Sequence, residues 1–353
     1  MDPDFKFEYV GNIHIHSSYS DGAGTIPEIA ACAKNLGIDF VATNEHDHMA
    51  DGLHLETEGF YDGILALAGL EIGVRYHHYL SFDLKEMPEV DNTNPQDVID
   101  EVNRQGGFGF LAHPMEKGMP FVENSIAYTW NDLQVKDYTG IEIWNFSSRW
   151  KERVKSPIHG IYHLIFKAST LKGPDKETLK LWDRLCQERK TVGVGGSDAH
   201  GAKFKWAGTR FTPLSYSFLL NSINIHILMD KKLSDDFSEA KSQVYDAIKN
   251  GRLYVAHNNL KSAKGFRFYF SGADNVSVVM GQDTSFEKGT LFAESPCKGE
   301  ISILRNGKII KKVKGQKTQL EVEEPGVYRV EVYLRKLFFG LRPWIFSNPI
   351  YLI

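Results

Sequence analysis

Apolar positions along the first 260 residues follow two rhythms in turn. Short continuous apolar runs, such as IDFVAT from Ile38, GILALAG, FGFLA, GIEIW and TVGVG, read as buried β-strands. Between them, apolar residues three and four apart read as amphipathic helices. TIPEIAACAKNLG is one such stretch: Thr25 can cap, Glu28 closes a capping box, Ile29, Ala33 and Leu36 share a face, and Gly37 ends the helix. NPQDVIDEVNRQGG repeats the plan with Asn94 as cap and Pro95 in the first turn, and DKETLKLWDRLCQERK and EAKSQVYDAIKNG are two more helices. From about Phe266 the helical rhythm stops. Alternation of period two takes over in FRFYFSG, VSVVMG, ISILRNGKIIKKV and GVYRVEVYL, with Asn306-Gly307 marking a tight hairpin. The pattern predicts an α/β domain over residues 1–260, then a small antiparallel β-sandwich over residues 261–353 packed on it.

The ends of the predicted strands carry the chemistry. The first strand runs into GNIHIHSSYSDG, with His14, His16 and Asp21, and the later ones end at NEHDH (residues 44–48), Glu71, His113, Asn145 and GSDAH (residues 196–200). Strands alternating with helices imply a parallel sheet with right-handed crossovers, which puts all C-terminal strand ends on one side. An open sheet would string these residues along a line. A closed TIM-like (β/α) barrel gathers His14, His16, Asp21, His46, Glu71, His113, Asp198 and His200 around one pocket, so the barrel is expected. Imidazole nitrogen and carboxylate oxygen together suit zinc, manganese or iron, and these donors are too many for one ion. Glu71 is the expected bridge between ions, and water activated to hydroxide by such ions makes hydrolysis the expected reaction.

Composition then narrows the partners. A formal charge of -4 and a pI near 6.4 give no overall pull toward nucleic acid or anionic lipid, which points to a small-molecule substrate. Cys32, Cys186 and Cys297 are widely spaced and odd in number, which argues against a disulfide framework and for a reducing compartment. No stretch of eighteen apolar residues suggests a membrane span, and MDPDFKFEYV lacks the basic-then-apolar order of an export signal. A cytoplasmic protein is the default expectation, with an exported form whose leader was trimmed as the alternative. The oligomeric state stays open.

His14-x-His16, SDG with Asp21, NEHD where Thr-Asp-His is usual, Glu71, AHP with His113, and GSDAH with Asp198 and His200 together resemble the PHP (polymerase and histidinol phosphatase) family of metal-dependent phosphoesterases. The resemblance runs over roughly residues 8–260 and implies a distorted seven-stranded (β/α) barrel holding two or three divalent ions, zinc, manganese or iron. Carried over by position, it implies that His14, His16, Glu71 and Asp198 hold one ion. It likewise gives Glu71 and His113, with Asn145, a second, and Asp21, His46 and His200 a third. Two positions depart from the pattern: Glu45 replaces the usual aspartate, with a role in orienting ligands, and Asn145 stands where other branches carry histidine or cysteine. AIKNGRLYVAHN, LRNGKII and RPWIFSNPIYLI resemble the branch grouped with carbaryl hydrolase, in which a small β-domain follows the barrel.

Around this centre, Glu71, Asp198 and His200 are the candidate catalytic groups, with His48 or a metal-bound water as alternative proton donors. Arg75, Arg149, Arg210 and Lys117 suit a phosphate clamp or are ordinary surface cations. His77 and His78 either reach the pocket as substrate groups or begin the next strand, YLSFDL. The lysines of GKIIKKVKGQK read as charge protecting an exposed edge, and Trp344, Phe346 and Tyr351 as packing of the β-domain on the barrel. Three functions are compatible with these residues: a phosphoesterase, a carboxyl-ester, carbamate or amide hydrolase on the same centre, and a non-catalytic binding protein.

Overall fold

A computed structural model of the chain describes residues 6–353 apart from 75–76, 91–92, 123–126, 207–208 and 273–276. The first region contains β1 (Phe7–Ile15), β2 (Phe40–His46), the short β3 (Gly59–Tyr61), β4 (Ile64–Val74), β5 (His77–Phe82), β6 (Phe108–Leu111), β7 (Gly140–Asn145) and β8 (Val192–Gly196). A small hairpin, β9 (Phe204–Trp206) and β10 (Thr209–Phe211), precedes β11 (Ile223–Met229) and β12 (Leu253–His257). The helices are α1 (Ile26–Asn35), α2 (Pro95–Arg104), α3 (Phe146–Lys151), α4 (Pro157–Ile165), α5 (Lys167–Thr170), α6 (Lys176–Glu188), α7 (Tyr216–Leu219) and α8 (Phe237–Lys249).

Local chemistry explains the long helices. Thr25 and Glu28 form the expected capping box of α1, and Ile26, Ile29, Ala30 and Ala33 face the core. Asn94, Asp175 and Asp236 accept backbone N–H groups at the starts of α2, α6 and α8.

Strand order through the first region is β11-β1-β2-β4-β5-β6-β7-β8. The pairs β1–β2, β2–β4, β6–β7 and β7–β8 are parallel, as strand and helix alternation predicts. β5 is antiparallel to both its neighbours, so the sheet is mixed where an all-parallel one was expected. The cause is short spacing: only two residues separate β4 from β5, far too few for a crossover helix, and the chain must turn straight back. Past β8 the chain returns to β1. Ile15 and Ala199 form a parallel bridge, the His16 N–H donates to the Ala199 carbonyl at 2.9 Å, and the Ala199 N–H donates to the His14 carbonyl at 3.2 Å.

The C-terminal region is antiparallel, as its period-two pattern predicts, apart from one short parallel pair. It comprises β13 (Arg267–Ser271), β14 (Ser277–Val279), β15 (Asp283–Thr284), β16 (Gly289–Arg305), β17 (Lys308–Val322), β18 (Gly326–Lys336), β19 (Gly340–Ser347) and β20 (Ile350–Leu352), with β15 and β20 the parallel exception. Asn306 and Gly307 both take positive φ, +50° and +76°, which is the backbone that a tight β16–β17 hairpin of matching twist demands. β19 pairs with β12, and the core beneath this region combines Phe266, Phe268, Ile303, Val332 and Trp344 with Leu228, Tyr254 and Ala256 of the first region. Among the described residues no helix is long and apolar enough to cross a membrane.

A buried ionic cluster ties the two regions. The Glu8 carboxylate accepts from Tyr254 Oη (2.6 Å), the Gly265 N–H (2.9 Å) and Arg267 Nη1 (2.8 Å) and lies 2.9 Å from His226 Nδ1. Burial alone would raise the Glu8 pKa, but His226, Arg267 and Tyr254 outweigh it and hold it at about 2, against an ordinary 4.5. As pH falls, the unfolded chain therefore takes up a proton at this residue first. The contribution is whole above about pH 4.5 and is lost on descending toward pH 2. Glu8→Gln is expected to cost on the order of 3 kcal/mol at neutral pH. Urea unfolding of both proteins should show the gap closing below pH 4.5; a gap independent of pH would refute the assignment.

Candidate metal centre

His14 and His16 lie at and just past the end of β1, where the register with β2 shifts, and their rings stand 5.4 Å apart. His46 ends β2 directly beside Glu71, its register partner on β4. His78 comes from β5, His113 follows β6, and Asp198 and His200 follow β8. Three of these residues, His14, His113 and Asp198, take left-handed backbone with φ of +61°, +28° and +51°. Non-glycine residues are held there only by compensating contacts, a form of strain that concentrates at functional sites.

Glu71 is the hub, although it lies within β4 and not at the strand end that the sequence suggested. Its Oε1 is 2.7 Å from His78 Nδ1 and 3.1 Å from both His14 Nε2 and His113 Nε2. Its Oε2 is 3.1 Å from His46 Nδ1 and 3.4 Å from His16 Nε2. Asp198 Oδ1 approaches His16 Nε2 at 3.5 Å, His14 Nε2 at 3.8 Å and His200 Nδ1 at 3.4 Å. Asp21 Oδ1 is 3.2 Å from His200 Nε2 and 3.8 Å from His16 Nδ1 and His46 Nε2. Among the described residues, four groupings have their donor atoms within 4.8 Å of one another: His16, Asp21, His46 and His200; His14, His16 and Asp198; His14, Glu71 and His113; His46, Glu71 and His78.

The electrostatics keep the acids ionised. Burial pushes Glu71 and Asp198 up, but His78 and His14 around the first, and His14 and His16 around the second, hold both well below the carboxylate range. Burial and then His200 push His16 down to about 4, so its ring is neutral. Burial opposes charge on His200 too, yet Asp21 and Asp198 carry it up to about 9. Among the described residues, His14 Nε2 and both ring nitrogens of His16 are buried without a hydrogen-bond partner. Buried polar atoms are almost always satisfied, and orphaned imidazole lone pairs beside ionised carboxylates are the donor set that a divalent cation completes.

Other expected residues take different places. Asn145 caps α3: its Oδ1 accepts the Ser148 N–H at 2.8 Å, while its Nδ2 faces Glu142 at 3.1 Å and His14 Nδ1 at 3.4 Å. Glu45 accepts the Ser17 N–H (3.0 and 3.1 Å) and Ser20 Oγ (2.5 Å), fixing the turn that leads to Asp21. Arg149 turns to Glu152, Asp175 and the Gly173 carbonyl, Lys117 pairs with Asp175, and His77 is occupied by the Thr129 carbonyl and Asp132. His48 is largely exposed. Arg75 and the Arg210 side chain lie outside the described residues.

Sequence reasoning missed three groups. Glu142 in β7 has Oε1 3.0 Å from His14 Nδ1, and its Oε2 accepts the His113 N–H at 3.0 Å. Glu116 lies 3.2 Å from His113 Nδ1 and pairs with Lys151. The signal for Glu142 was an acid inside the apolar run GIEIW. Lys151 had none, being one of two cations in a short helix. It lines a cavity of about 460 Å³ that Asp198, His200 and Ser147 share with apolar Met119, Trp150, Leu164, Leu214 and Leu219. Burial lowers the Lys151 pKa, but Glu116 and Asp198 raise it above the ordinary value, so the cavity has a cation beside the Asp198 carboxylate.

Residues 12–176 match the PHP domain family. A stretch of 86 residues is 31% identical to DNA polymerase III subunit alpha of Treponema pallidum (strain Nichols), covering 20% of this chain and 7% of that subunit. Among solved structures, a two-domain protein containing a predicted PHP-like metal-dependent phosphoesterase from Bacteroides vulgatus aligns over 99% of this chain and 97% of its own, at 13% identity and a TM-score of 0.47. PsfC from Pseudomonas syringae aligns over 69% of this chain and 88% of its own, at 13% identity and a TM-score of 0.42.

Proposed function

We propose, from the PHP domain that this chain carries over residues 12–176, that the protein is a metal-dependent phosphoesterase cleaving small phosphomonoesters or phosphodiesters. The observation that carries the reading is Glu71, one oxygen facing three imidazoles and the other facing two, an arrangement suited to a carboxylate shared between two ions. His14, His16, Asp198 and Glu71 would hold one ion, Glu71 with His113 another, and Asp21, His46 and His200 a third. Zinc, manganese and iron all suit these donors. His78, expected as a substrate group, is close enough to Glu71 to complete a ligand set. Bound divalent ions supply Lewis-acid stabilisation of developing negative charge and make water more acidic. The protein's own groups do the rest. Lys151 attracts the anionic end of the substrate, the apolar cavity wall takes its remainder and excludes water, and His200, when not a ligand, gives a proton to the leaving oxygen.

The same reading includes a distorted seven-stranded (β/α) barrel made by β1, β2, β4, β5, β6, β7 and β8, which the return of the chain to β1 at Ala199 supports. It also includes a boundary near residue 260, a C-terminal β-sandwich and a cytoplasmic location, for which the three free cysteines speak.

One observation favours the alternative of carboxyl-ester, carbamate or amide hydrolysis: the cavity walls are mostly apolar. The two readings separate in one experiment, in which metal-loaded protein is offered phosphate esters and neutral carboxyl esters or carbamates with the same leaving groups. Phosphate release is expected, and Lys151→Gln should raise KM for the phosphate esters by about 10- to 100-fold, the worth of a charged hydrogen bond. Turnover of the neutral esters alone, indifferent to Lys151→Gln, would transfer the assignment to carbon. No turnover of either set would defeat both.

A further inference from the structure

Helix α4 is built inside out. Ile158, Ile161, Tyr162 and Ile165 stand at helical spacing, a stripe that normally faces a core, yet they are 78%, 59%, 42% and 66% exposed, while the polar His163 is buried. The β18–β19 turn lies beside it and continues the apolar surface. Leu337 and Phe338 are 78% and 94% exposed, Phe338 is held outward on left-handed backbone, and the Phe339 ring lies 5.6 Å from that of Phe166. Arg342 Nε locks the two segments together by donating to the Ser169 carbonyl at 2.5 Å. Contiguous exposed apolar side chains on this scale mark an interaction surface.

The charge around the patch identifies what it meets. Between Glu152 and Asp175 the chain has no acidic residue but carries Arg153, Lys155, Lys167 and Lys172, and after Glu331 it has none to its end but carries Arg335, Lys336 and Arg342. Among the described residues none of these seven cations pairs with a carboxylate. Lys155, Lys172 and Arg335 are exposed, Lys167 and Lys336 are half-buried and donate to the Pro213 and Leu260 carbonyls, and Arg153 is half-buried and adds little to the surface field. In a chain of net charge -4 this is a local basic field around an apolar face. A second copy of the chain would set one cationic surface against another and is disfavoured.

We infer that α4 and the β18–β19 turn dock this protein on an anionic lipid bilayer surface, apolar side chains entering the acyl boundary and the basic residues meeting the headgroups. No spanning helix is required. Docking would also place the cavity near the lipid, because Leu164 of α4 and Trp150 of α3 form part of its wall. The inference does not depend on the reaction assigned above.

The test is co-sedimentation of the full chain with vesicles of phosphatidylcholine alone or mixed with phosphatidylglycerol. Binding is expected only to the mixed vesicles, falling as salt rises, and reduced about tenfold or more in Ile161→Ser/Ile165→Ser/Phe338→Ser. These side chains are solvent-exposed, so the variant should keep its melting temperature, and a second variant, Arg335→Gln/Lys336→Gln, should weaken binding without touching an apolar group. Absence of binding to anionic vesicles, or equal binding by both variants and the parent, would overturn the proposal. So would a concentration-dependent dimer in sedimentation velocity that the triple variant abolishes, since the occupant would then be a second copy.

Discussion

Glu71→Gln is expected to lose metal and activity together, with phosphate-ester turnover falling by about a thousandfold. The size follows from position. The substitution removes the negative charge that faces five imidazoles and replaces one oxygen with an amide NH2 aimed at nitrogens that should donate their lone pairs outward. Loss of the ions' charge stabilisation is worth several kcal/mol, and about 4 kcal/mol corresponds to three orders of magnitude in rate. Elemental analysis of the purified variant checks the first half, and turnover with excess added metal checks the second. A variant retaining full metal content and rate would show that Glu71 is not a ligand and would remove it from the proposed centre. The substitution is isosteric, and circular dichroism and the melting temperature of the variant separate ligand loss from unfolding.

Much of this centre was legible because strand ends are legible. Each apolar run stops at a sequence-visible boundary, and where the residue at that boundary is His or Asp it lies at the open end of the sheet. That logic places His14, His16, His46, His113, Asp198 and His200 without any knowledge of contacts. It assigns Glu71 to the right neighbourhood while misjudging its place on the strand, because β4 continues through a second apolar stretch to Val74. The antiparallel β5 was harder. YLSFDL is visible as a strand, but its direction depends on the length of the preceding connection, and His77 and His78 belong to the strand itself and not to a loop.

Partnerships between side chains were not legible. Arg149 looks like a free cation in sequence, and only the fold shows that Asp175, twenty-six residues on, and Glu152 hold it. Asn145 looks like a substituted ligand, and only the start of α3 immediately after β7 shows its oxygen serving as a helix cap. The exposed stripe of α4 is invisible for the opposite reason: apolar residues at helical spacing predict a buried face, and nothing local tells the helix which way to turn.

Glu142 presents the sharpest case, since it touches no substrate and yet is expected to control the metal site. Its two oxygens have separate duties, one against His14 Nδ1 and one accepting from the His113 N–H and from Asn145 Nδ2. In Glu142→Gln one of those oxygens becomes a donor. Turned toward the His113 N–H and Asn145, the new NH2 group meets two other donors and leaves buried polar atoms unsatisfied. Turned toward His14, it needs Nδ1 as an acceptor, which moves the ring proton to Nε2, the nitrogen facing Glu71 and Asp198. A protonated Nε2 has no lone pair for an ion. Either orientation is expected to weaken metal affinity by about 10- to 100-fold, the usual cost of losing a carboxylate that orients a histidine ligand. Competition with a chelator of known affinity would measure it, and Glu142→Asp, which keeps the charge but not the reach, should fall between the variant and the parent. Unchanged affinity in Glu142→Gln would mean that His14 does not bind through Nε2, and the grouping of His14 with His16 and Asp198 would have to be withdrawn.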